Sequence, residues 1–165
     1  MEERTFGGGG SAGPYRGAKF SMFEGGIRVP AIISWPKAIP QHEVRDQMTV
    51  NVDWFPTILD MCDIQYQNDD FEGKSLSSAI YDNDSSQHKV FWWSSGKKNW
   101  AVRKGNWKLL KNPRDPVDKE SIKPGDSLFL VNLKADIGET KNLANMYPEK
   151  VHELIKEYNQ WKSGN

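Results

Sequence analysis

The sequence has little cysteine, no surplus of either charge and no long apolar run. Its single cysteine, Cys62, excludes an internal disulfide. The apolar residues just before Cys62 predict a buried structural thiol. Basic and acidic residues number 22 each, and this balance argues against broad binding to nucleic acid or anionic membranes. No apolar run approaches the ~20 residues of a membrane helix, so we expect no membrane span.

The chain is rich in large aromatic side chains. Seven Trp and seven Phe occur among 165 residues, although hydrophobic residues make up only 37%. This composition predicts a globular chain with polar loops and enough apolar surface for one ordinary core. Residues 1–12 include four consecutive glycines, and we expect them to be flexible.

Residues 13–30 combine glycines, fixed charges of both signs and an apolar exit. The pair Gly25-Gly26 predicts a sharp change of chain direction, because glycine allows backbone conformations and close approaches that other residues do not. Arg16 and Lys19 precede this turn, and Glu24 lies beside it. A lysine on such a loop can receive an anionic group, and a solvated surface loop is the alternative reading.

This stretch resembles a segment of the sulfatases of arylsulfatase type. The family pattern reads roughly G-P-x-R-G-x-K-x(4)-E-G-G-x-R-x-P, and this chain matches it in one register. The matching residues are Gly13, Pro14, Arg16, Gly17, Lys19, Glu24, Gly25, Gly26, Arg28 and Pro30. The later stretch 103–110, RKGNWKLL, is similar to arylsulfatases of the B type. The resemblance implies that Lys19 lies in the active site and binds the sulfate group of the substrate, as a catalytic and substrate-binding residue.

Periodicity predicts one strand and one helix in the first half. The run Val29–Trp35 is apolar and rich in β-branched residues, which predicts a buried strand. Residues 49–63 predict a helix with Pro56 in its first turn and an apolar face that includes Phe55 and Ile58. Asp53 near the start of that helix is explained by the helix dipole without a site.

The second half predicts four strands and a helix. The strand candidates are 88–94, 99–103, 107–111 and 127–133, and short turns of hairpin type separate the first three. An apolar stripe at helical spacing predicts a final helix over 147–162. Its members are Val151, Leu154, Ile155, Tyr158 and Trp161. His152 on this helix is expected at its solvent edge.

The resemblance extends from Gly13 through the final helix in the family's order. It includes D53-W-F-P-T-I-L-D60, and D136-I-G-E-T-K-N-L-A144, where Ile137 replaces the family's proline. It implies an α/β fold class, in which the end of an alkaline-phosphatase-like sulfatase domain precedes a small antiparallel β-sheet packed on a C-terminal helix. We place the first domain at residues 1–84 and the second at 85–165, because Asp, Asn and Ser cluster near the boundary.

The family's chemistry needs parts that this sequence lacks. Sulfatases are understood to use a formylglycine made from Cys or Ser in C/S-x-P-x-R and a Ca²⁺ ion held by Asp and Asn. Cys62 is followed by Asp-Ile-Gln-Tyr, and no serine precedes x-Pro-x-Arg, so formylglycine formation is not possible here. The histidines at 42, 88 and 152 lack ligand spacing, and we expect no metal ligands in this chain. The sequence therefore predicts a chain that carries Lys19 but has no sulfatase activity alone.

Two other interpretations stay open. The chain is alternatively an inactive binding module that uses a Trp-rich sheet, with Trp92 or Trp93 and Trp100 exposed together, for glycan or protein contact. Packing of most of these aromatic side chains in the core is the alternative to such a platform. A third interpretation is a gene model that starts too late, with no independent protein.

Partners and location follow only from the resemblance. The parent enzyme would act on a sulfate-ester small molecule or a sulfated glycan. Its location would be lysosomal, extracellular or periplasmic if the parent carries a signal peptide, and this chain alone leaves it unknown. Asn83-Asp84-Ser85 is an N-glycosylation sequon, which is used only in the secretory pathway.

Overall fold

The computed structural model describes residues 10–67, 72–118, 122–123 and 125–164. The chain divides into two compact units. Unit 1 comprises residues 1–30 and 90–165, and unit 2 comprises residues 31–89. The predicted division between residues 84 and 85 stays a prediction, as does flexibility of residues 1–12, of which 1–9 lie outside the described part.

Unit 1 contains a four-stranded antiparallel sheet in the order β1-β2-β3-β4. The strands are β1 (Val90–Ser95), β2 (Asn99–Lys104), β3 (Trp107–Lys111) and β4 (Leu128–Asn132). Tight turns containing Gly96 and Gly105, both at positive φ, join the first three strands. All four predicted strands are thereby confirmed, with ends shifted by one or two residues.

Each face of the sheet is covered by a different part of unit 1. The short helix α1 (Glu24–Ile27) follows Phe23, which packs on Ala101, Leu110 and Phe129. On the other face lies α4 (Pro148–Gly164), whose Leu154 packs against Val102, Leu109 and Leu130. The side chains alternate between the two faces along each strand, so both halves of the sheet have an apolar lining. The predicted α4 stripe is confirmed, since Val151, Leu154 and Tyr158 are buried. His152 is exposed, as predicted.

Unit 2 contains a 3₁₀ turn (Asn51–Asp53) that leads into α2 (Trp54–Met61), and a short α3 (Ser77–Asp82). The helix predicted over 49–63 is confirmed over this span. Its apolar face is exposed, with Phe55 55% and Ile58 53% accessible. Cys62 is also exposed. The prediction of a buried thiol was wrong, because the side chains that surround Cys62 in the sequence do not cover it.

The predicted strand over 29–35 was wrong. Residues 28–35 have no regular secondary structure, and Val29 and Ile32 are 76% and 92% exposed. A strand needs a neighbour to bond its backbone N–H and C=O groups, and unit 2 has no strand among its described residues. Across the described ranges, no helix is long and apolar enough to cross a membrane.

Candidate functional site

Residues 13–28, which we call the lysine loop, carry Lys19 at a turn. Gly17 and Phe20 on either side of Lys19 have φ values of 85° and 75°. Ser21 N–H donates to the carbonyl of Ala18 at 2.9 Å, closing the turn around Lys19. Positive φ is unusual for a residue with a side chain, so the conformation at Phe20 must be held by its surroundings.

The Gly25-Gly26 pair packs directly on the first half of the same loop. Gly25 N–H donates to the carbonyl of Arg16 at 2.7 Å. An ideal Cβ on Gly26 would lie 2.3 Å from Ser21 O and 2.5 Å from Ala18 O. Only glycine fits this approach. The predicted change of chain direction is therefore a contact between the two halves of the loop, one on each side of Lys19.

Arg16 fastens the lysine loop to two later segments of unit 1. Its Nε donates to Asp115 Oδ2 at 2.8 Å, and its Nη1 donates to the carbonyl of Glu139 at 2.8 Å. The guanidinium carbon lies 4.1 Å from the ring centre of Phe23. Asp115 is buried, and Val117 and Asp118 N–H also donate to it. The charge-assisted hydrogen bond between Arg16 and Asp115 thus joins two segments that are 99 residues apart in the sequence.

Ser21 makes a second attachment. Its hydroxyl donates to the carbonyl of Arg114 at 2.8 Å and accepts from Phe23 N–H at 3.1 Å. The Phe23 ring is fully buried and meets the Phe129 ring edge-on at 5.3 Å. The chain just after Lys19 is thus held by a buried polar contact and by the core.

A buried group of three ionisable side chains, which we call the charge cluster, ends the loop. Its members are Glu24 on α1, Lys108 on β3 and Glu139. Lys108 Nζ donates to Glu24 Oε1 at 2.8 Å and to Glu139 Oε1 at 3.0 Å. The Lys108 side chain is 0% exposed. The second Glu139 oxygen accepts the backbone N–H of Glu24 at 2.5 Å.

Two arginines also lie within 4 Å of the Glu24 carboxylate. Arg28 Nη1 lies 3.5 Å and Arg103 Nη1 lies 3.9 Å from Glu24 Oε2. Burial raises the pKa of Glu24, but the charge and hydrogen bond of Lys108, with Arg103 and Arg28, outweigh burial and lower that pKa. Burial also raises the pKa of Glu139, and there it dominates over Lys108. Glu24 is therefore the more firmly ionised carboxylate.

Lys19 itself is exposed. Its Nζ lies 5.2 Å from the centre of the Phe20 ring. Within the described ranges its ammonium forms no hydrogen bond or ion pair. An ammonium without an anionic partner, on a loop held by buried contacts, can bind an anion with little further ordering of the backbone.

Comparison with known proteins decides the family. The family model for the C-terminal part of N-sulphoglucosamine sulphohydrolase matches residues 16–162. The match begins at Arg16, includes Lys19 and the charge cluster, and ends near the end of α4. The chain belongs to the sulfatase family. The recognition of a C-terminal sulfatase portion is confirmed.

Curated relatives agree along most of the chain. An uncharacterized sulfatase of Schizosaccharomyces pombe is 32% identical over 87% of this chain and 26% of its own length. Arylsulfatase J of Mus musculus is 26% identical over 93% of this chain and 32% of its own length. Arylsulfatase A of Bos taurus is 27% identical over 92% of this chain and 33% of its own length. The chain thus spans between about a quarter and a third of the length of these sulfatases.

Solved structures confirm the fold. A crystal structure of Ps i-CgsB in complex with k-i-k-neocarrahexaose superposes with a TM-score of 0.72, at 23% identity over 90% of this chain and 32% of that one. The structure of BT4656 in complex with its substrate D-glucosamine-2-N,6-O-disulfate superposes with a TM-score of 0.59. The sequence identity is 22%, over 80% of this chain and 27% of that one. The predicted fold class is confirmed: the sulfatase fold ends in a small antiparallel sheet with a C-terminal helix.

The described residues offer no site that fits the Ca²⁺ ion implied by the sulfatase resemblance. The described residues contain no group of three or more His, Cys, Asp or Glu side chains that could hold a metal ion. The charge cluster has only two carboxylates, and the ammonium of Lys108 lies between them.

In unit 2, Asp53 and His88 form a buried structural contact. His88 Nε2 lies 2.7 Å from Asp53 Oδ1, which also accepts the Lys74 N–H at 2.9 Å. Asp53 Oδ2 accepts the Val50 N–H at 2.8 Å. Asp53 is fully buried. Its role is to join the start of α2 to two later segments of unit 2, a stronger tie than the helix dipole alone predicts.

The tryptophans of the sheet pack against other aromatic side chains. Trp92 stacks on Trp161 at 5.6 Å and Trp100 stacks on Tyr158 at 4.1 Å, both rings belonging to α4. Trp93 lies on the opposite face, against the cluster that contains Phe23. Trp92 and Trp93 thus lie on opposite faces, as the alternation of side chains along a strand requires. α4 stacks on one ring face of Trp92 and on one of Trp100, so those two faces are not free to stack on a sugar.

Sequence reasoning missed Lys108 and Glu139 as parts of the site. Lys108 lies in a short strand between apolar residues, and a lysine there suggests an edge or a surface position. Its one available signal was its place in the stretch 103–110, which the family resemblance covers. Glu139 lies in the stretch 136–144, also part of the resemblance. Neither position reveals its partner, because Lys108 is 84 residues from Glu24.

Proposed function

We propose that this chain is the C-terminal portion of a sulfatase that hydrolyses sulfate esters, and that Lys19 contacts the sulfate group of the substrate. The observation that carries the proposal is the exposed ammonium of Lys19 on a loop whose flanking residues are held by buried contacts. A fixed positive charge stabilises the sulfuryl oxygens as negative charge develops on them. The substrate would be a sulfate-ester small molecule or a sulfated glycan.

Lys19 supplies only one part of the reaction. Displacement at sulfur also needs a nucleophile and a proton donor for the leaving alcohol. The sequence has no C/S-x-P-x-R motif for formylglycine. We therefore propose that the chain alone is catalytically inactive, and that the nucleophile and the Ca²⁺ site belong to another part of the parent sulfatase.

Exposed apolar side chains in unit 2 support a larger parent domain. Ile32 is 92% exposed, and Phe55 and Ile58 present more than half of their surface on one side of α2. Large apolar side chains exposed together mark surfaces that pack against other protein. The partial coverage of the sulfatase relatives agrees with this explanation.

Titration with inorganic sulfate tests the role of Lys19. The probe is the full 165-residue chain, followed by the NMR signals of its lysine Cε groups. We expect a saturable shift of the Lys19 signal, which is assigned by its disappearance in Lys19→Ala. The shift should persist in Lys97→Ala, which replaces an exposed lysine in the β1–β2 turn. A Lys19 response no larger than that of Lys97 would contradict the proposal.

An activity assay tests the second half of the proposal. The purified chain is incubated with an aryl sulfate and Ca²⁺, and release of the phenol is measured. We expect no turnover above the uncatalysed rate, because the sequence has no C/S-x-P-x-R motif from which formylglycine could be made. Turnover that tracks the purified chain would refute the assignment of the nucleophile to another part of the parent.

A further inference from the structure

The contacts between the charge cluster and the lysine loop indicate a role for two residues, a role that none of the sequence motifs assigns to them. We propose that Lys108 and Glu139 are positioning residues, which bind Glu24 and thereby hold the lysine loop in the conformation that presents Lys19. This proposal rests on the proposed function in one respect only: the loop conformation matters for function if Lys19 contacts the sulfate group. The geometric claim stands on contacts within unit 1.

The first step is that Glu24 is held at two points. Its carboxylate accepts from Lys108 Nζ at 2.8 Å, and its backbone N–H donates to Glu139 Oε2 at 2.5 Å. Lys108 Nζ also bonds Glu139 Oε1 at 3.0 Å, which closes a ring of three side chains. Side chain and backbone of Glu24 are therefore fixed together, and α1 cannot rotate without breaking the ring.

The second step leads from Glu24 to Lys19. Gly25 and Gly26 follow Glu24 directly, and both lie close against backbone carbonyls of the first half of the loop. These carbonyls are those of Arg16 and Gly17 for Gly25, and of Ala18 and Ser21 for Gly26. These carbonyls belong to the turn that bears Lys19. A displacement of Glu24 would move the two glycines away from that turn and leave its positive-φ residues without support.

The third step is that the cluster is too buried to be a surface ion pair. Lys108 and Glu139 side chains are 0% exposed, and Glu24 is 3% exposed. Removing one partner leaves an uncompensated buried charge, which is strongly destabilising, whereas exposed pairs contribute little. The ion pair of Lys104 with Glu153 and Glu157 is the exposed counterpart in the same sheet, with Lys104 40% exposed.

Hydrogen exchange of the full chain tests the proposal without any ligand. The variant is Lys108→Met, which keeps the length of the side chain and removes its charge. We expect exchange of amides in residues 16–28 to rise about tenfold or more beyond any rise in the amides of β2 and α4. Lys104→Met is the matched control, and it should leave residues 16–28 unchanged.

A charge-balanced double variant covers the case in which Lys108→Met fails to fold. Lys108→Met with Glu139→Gln removes one positive and one negative charge. We expect the double variant to retain protection in β2 and α4 and still to lose it in residues 16–28. Wild-type protection of residues 16–28 in either variant would overturn the proposal, and so would an equal loss over the whole sheet.

Sulfate titration separates this proposal from the role of Lys19. If wild-type Lys19 responds to sulfate, we expect Lys108→Met or the double variant to lose most of that response while still folded. If wild-type Lys19 gives no response, its sulfate contact fails as a proposal, and hydrogen exchange still decides whether Lys108 and Glu139 hold the loop.

Discussion

Gly26 lies where any side chain would collide with the backbone of its own loop. Its ideal Cβ is 2.3 Å from Ser21 O, a distance that no carbon–oxygen contact tolerates. We predict that Gly26→Ala destabilises unit 1 by about 3 kcal/mol, because the two halves of the lysine loop must separate. Urea unfolding measures the effect.

The control for this prediction is Gly164→Ala. Gly164 ends α4, and nothing lies within 4 Å of its ideal Cβ. This substitution should leave the free energy of unfolding within about 0.5 kcal/mol of wild type. An equally small effect for Gly26→Ala would mean that the loop does not need its close backbone approach.

Asp53 gives unit 2 a pH dependence whose sign is fixed. Burial raises the pKa of Asp53, but hydrogen bonds from His88 and from the backbone N–H groups of Lys74 and Val50 outweigh it, so the pKa lies below its ordinary 3.8. When the pKa of a carboxyl group is lower in the folded state than in the unfolded state, its ionisation stabilises the fold at pH values above the unfolded-state pKa. This stabilisation is lost as the pH falls through the folded-state pKa. The loss therefore occurs below about pH 4.

We predict that Asp53→Asn destabilises unit 2 by about 3 kcal/mol at neutral pH, and that this difference shrinks below about pH 4. Urea unfolding followed by the NMR signals of α2 measures it at each pH. Asp46→Asn, at an exposed position in the same unit, is the control. A difference that stays constant from pH 7 to pH 3 would show that the charge of Asp53 is not responsible.

At the scale of elements, α4 stabilises the sheet through one buried stripe. Leu154 is fully buried in the cluster formed with Val102, Leu109 and Leu130. We predict that Leu154→Ala lowers the free energy of unfolding of unit 1 by about 3 kcal/mol through lost burial and a cavity. Lys156→Ala, exposed on the same helix, should change it by less than about 0.5 kcal/mol. Equal effects would refute the packing of α4 on the sheet.

Elements that depend on nearby residues were predictable. The four strands and α4 follow from alternation, helical spacing and short turns, all of which are local properties of the sequence. The segment 29–35 has the composition of a strand, but none of the described strands pairs with it. Composition reports the preference of a segment and says nothing about its neighbours.

The candidate site was predictable only in part. Lys19 follows from a motif within 18 consecutive residues, so the sequence alone could single it out. The charge cluster joins Glu24 to Lys108 across 84 residues, and Lys108 to Glu139 across 31. Such contacts come from the folding of the sheet, and no local spacing encodes them. The exposure of Cys62 depends on which segments pack on α2, and the residues next to it in the sequence do not determine that.

At the scale of the whole molecule, the central claim is that this chain functions as part of a larger sulfatase. The most direct test is the mass of the native protein, detected with an antibody against α4. We predict a species of about three to four times 18.8 kDa, since the chain spans 26% to 33% of the length of its sulfatase relatives. A native species of 18.8 kDa would contradict it.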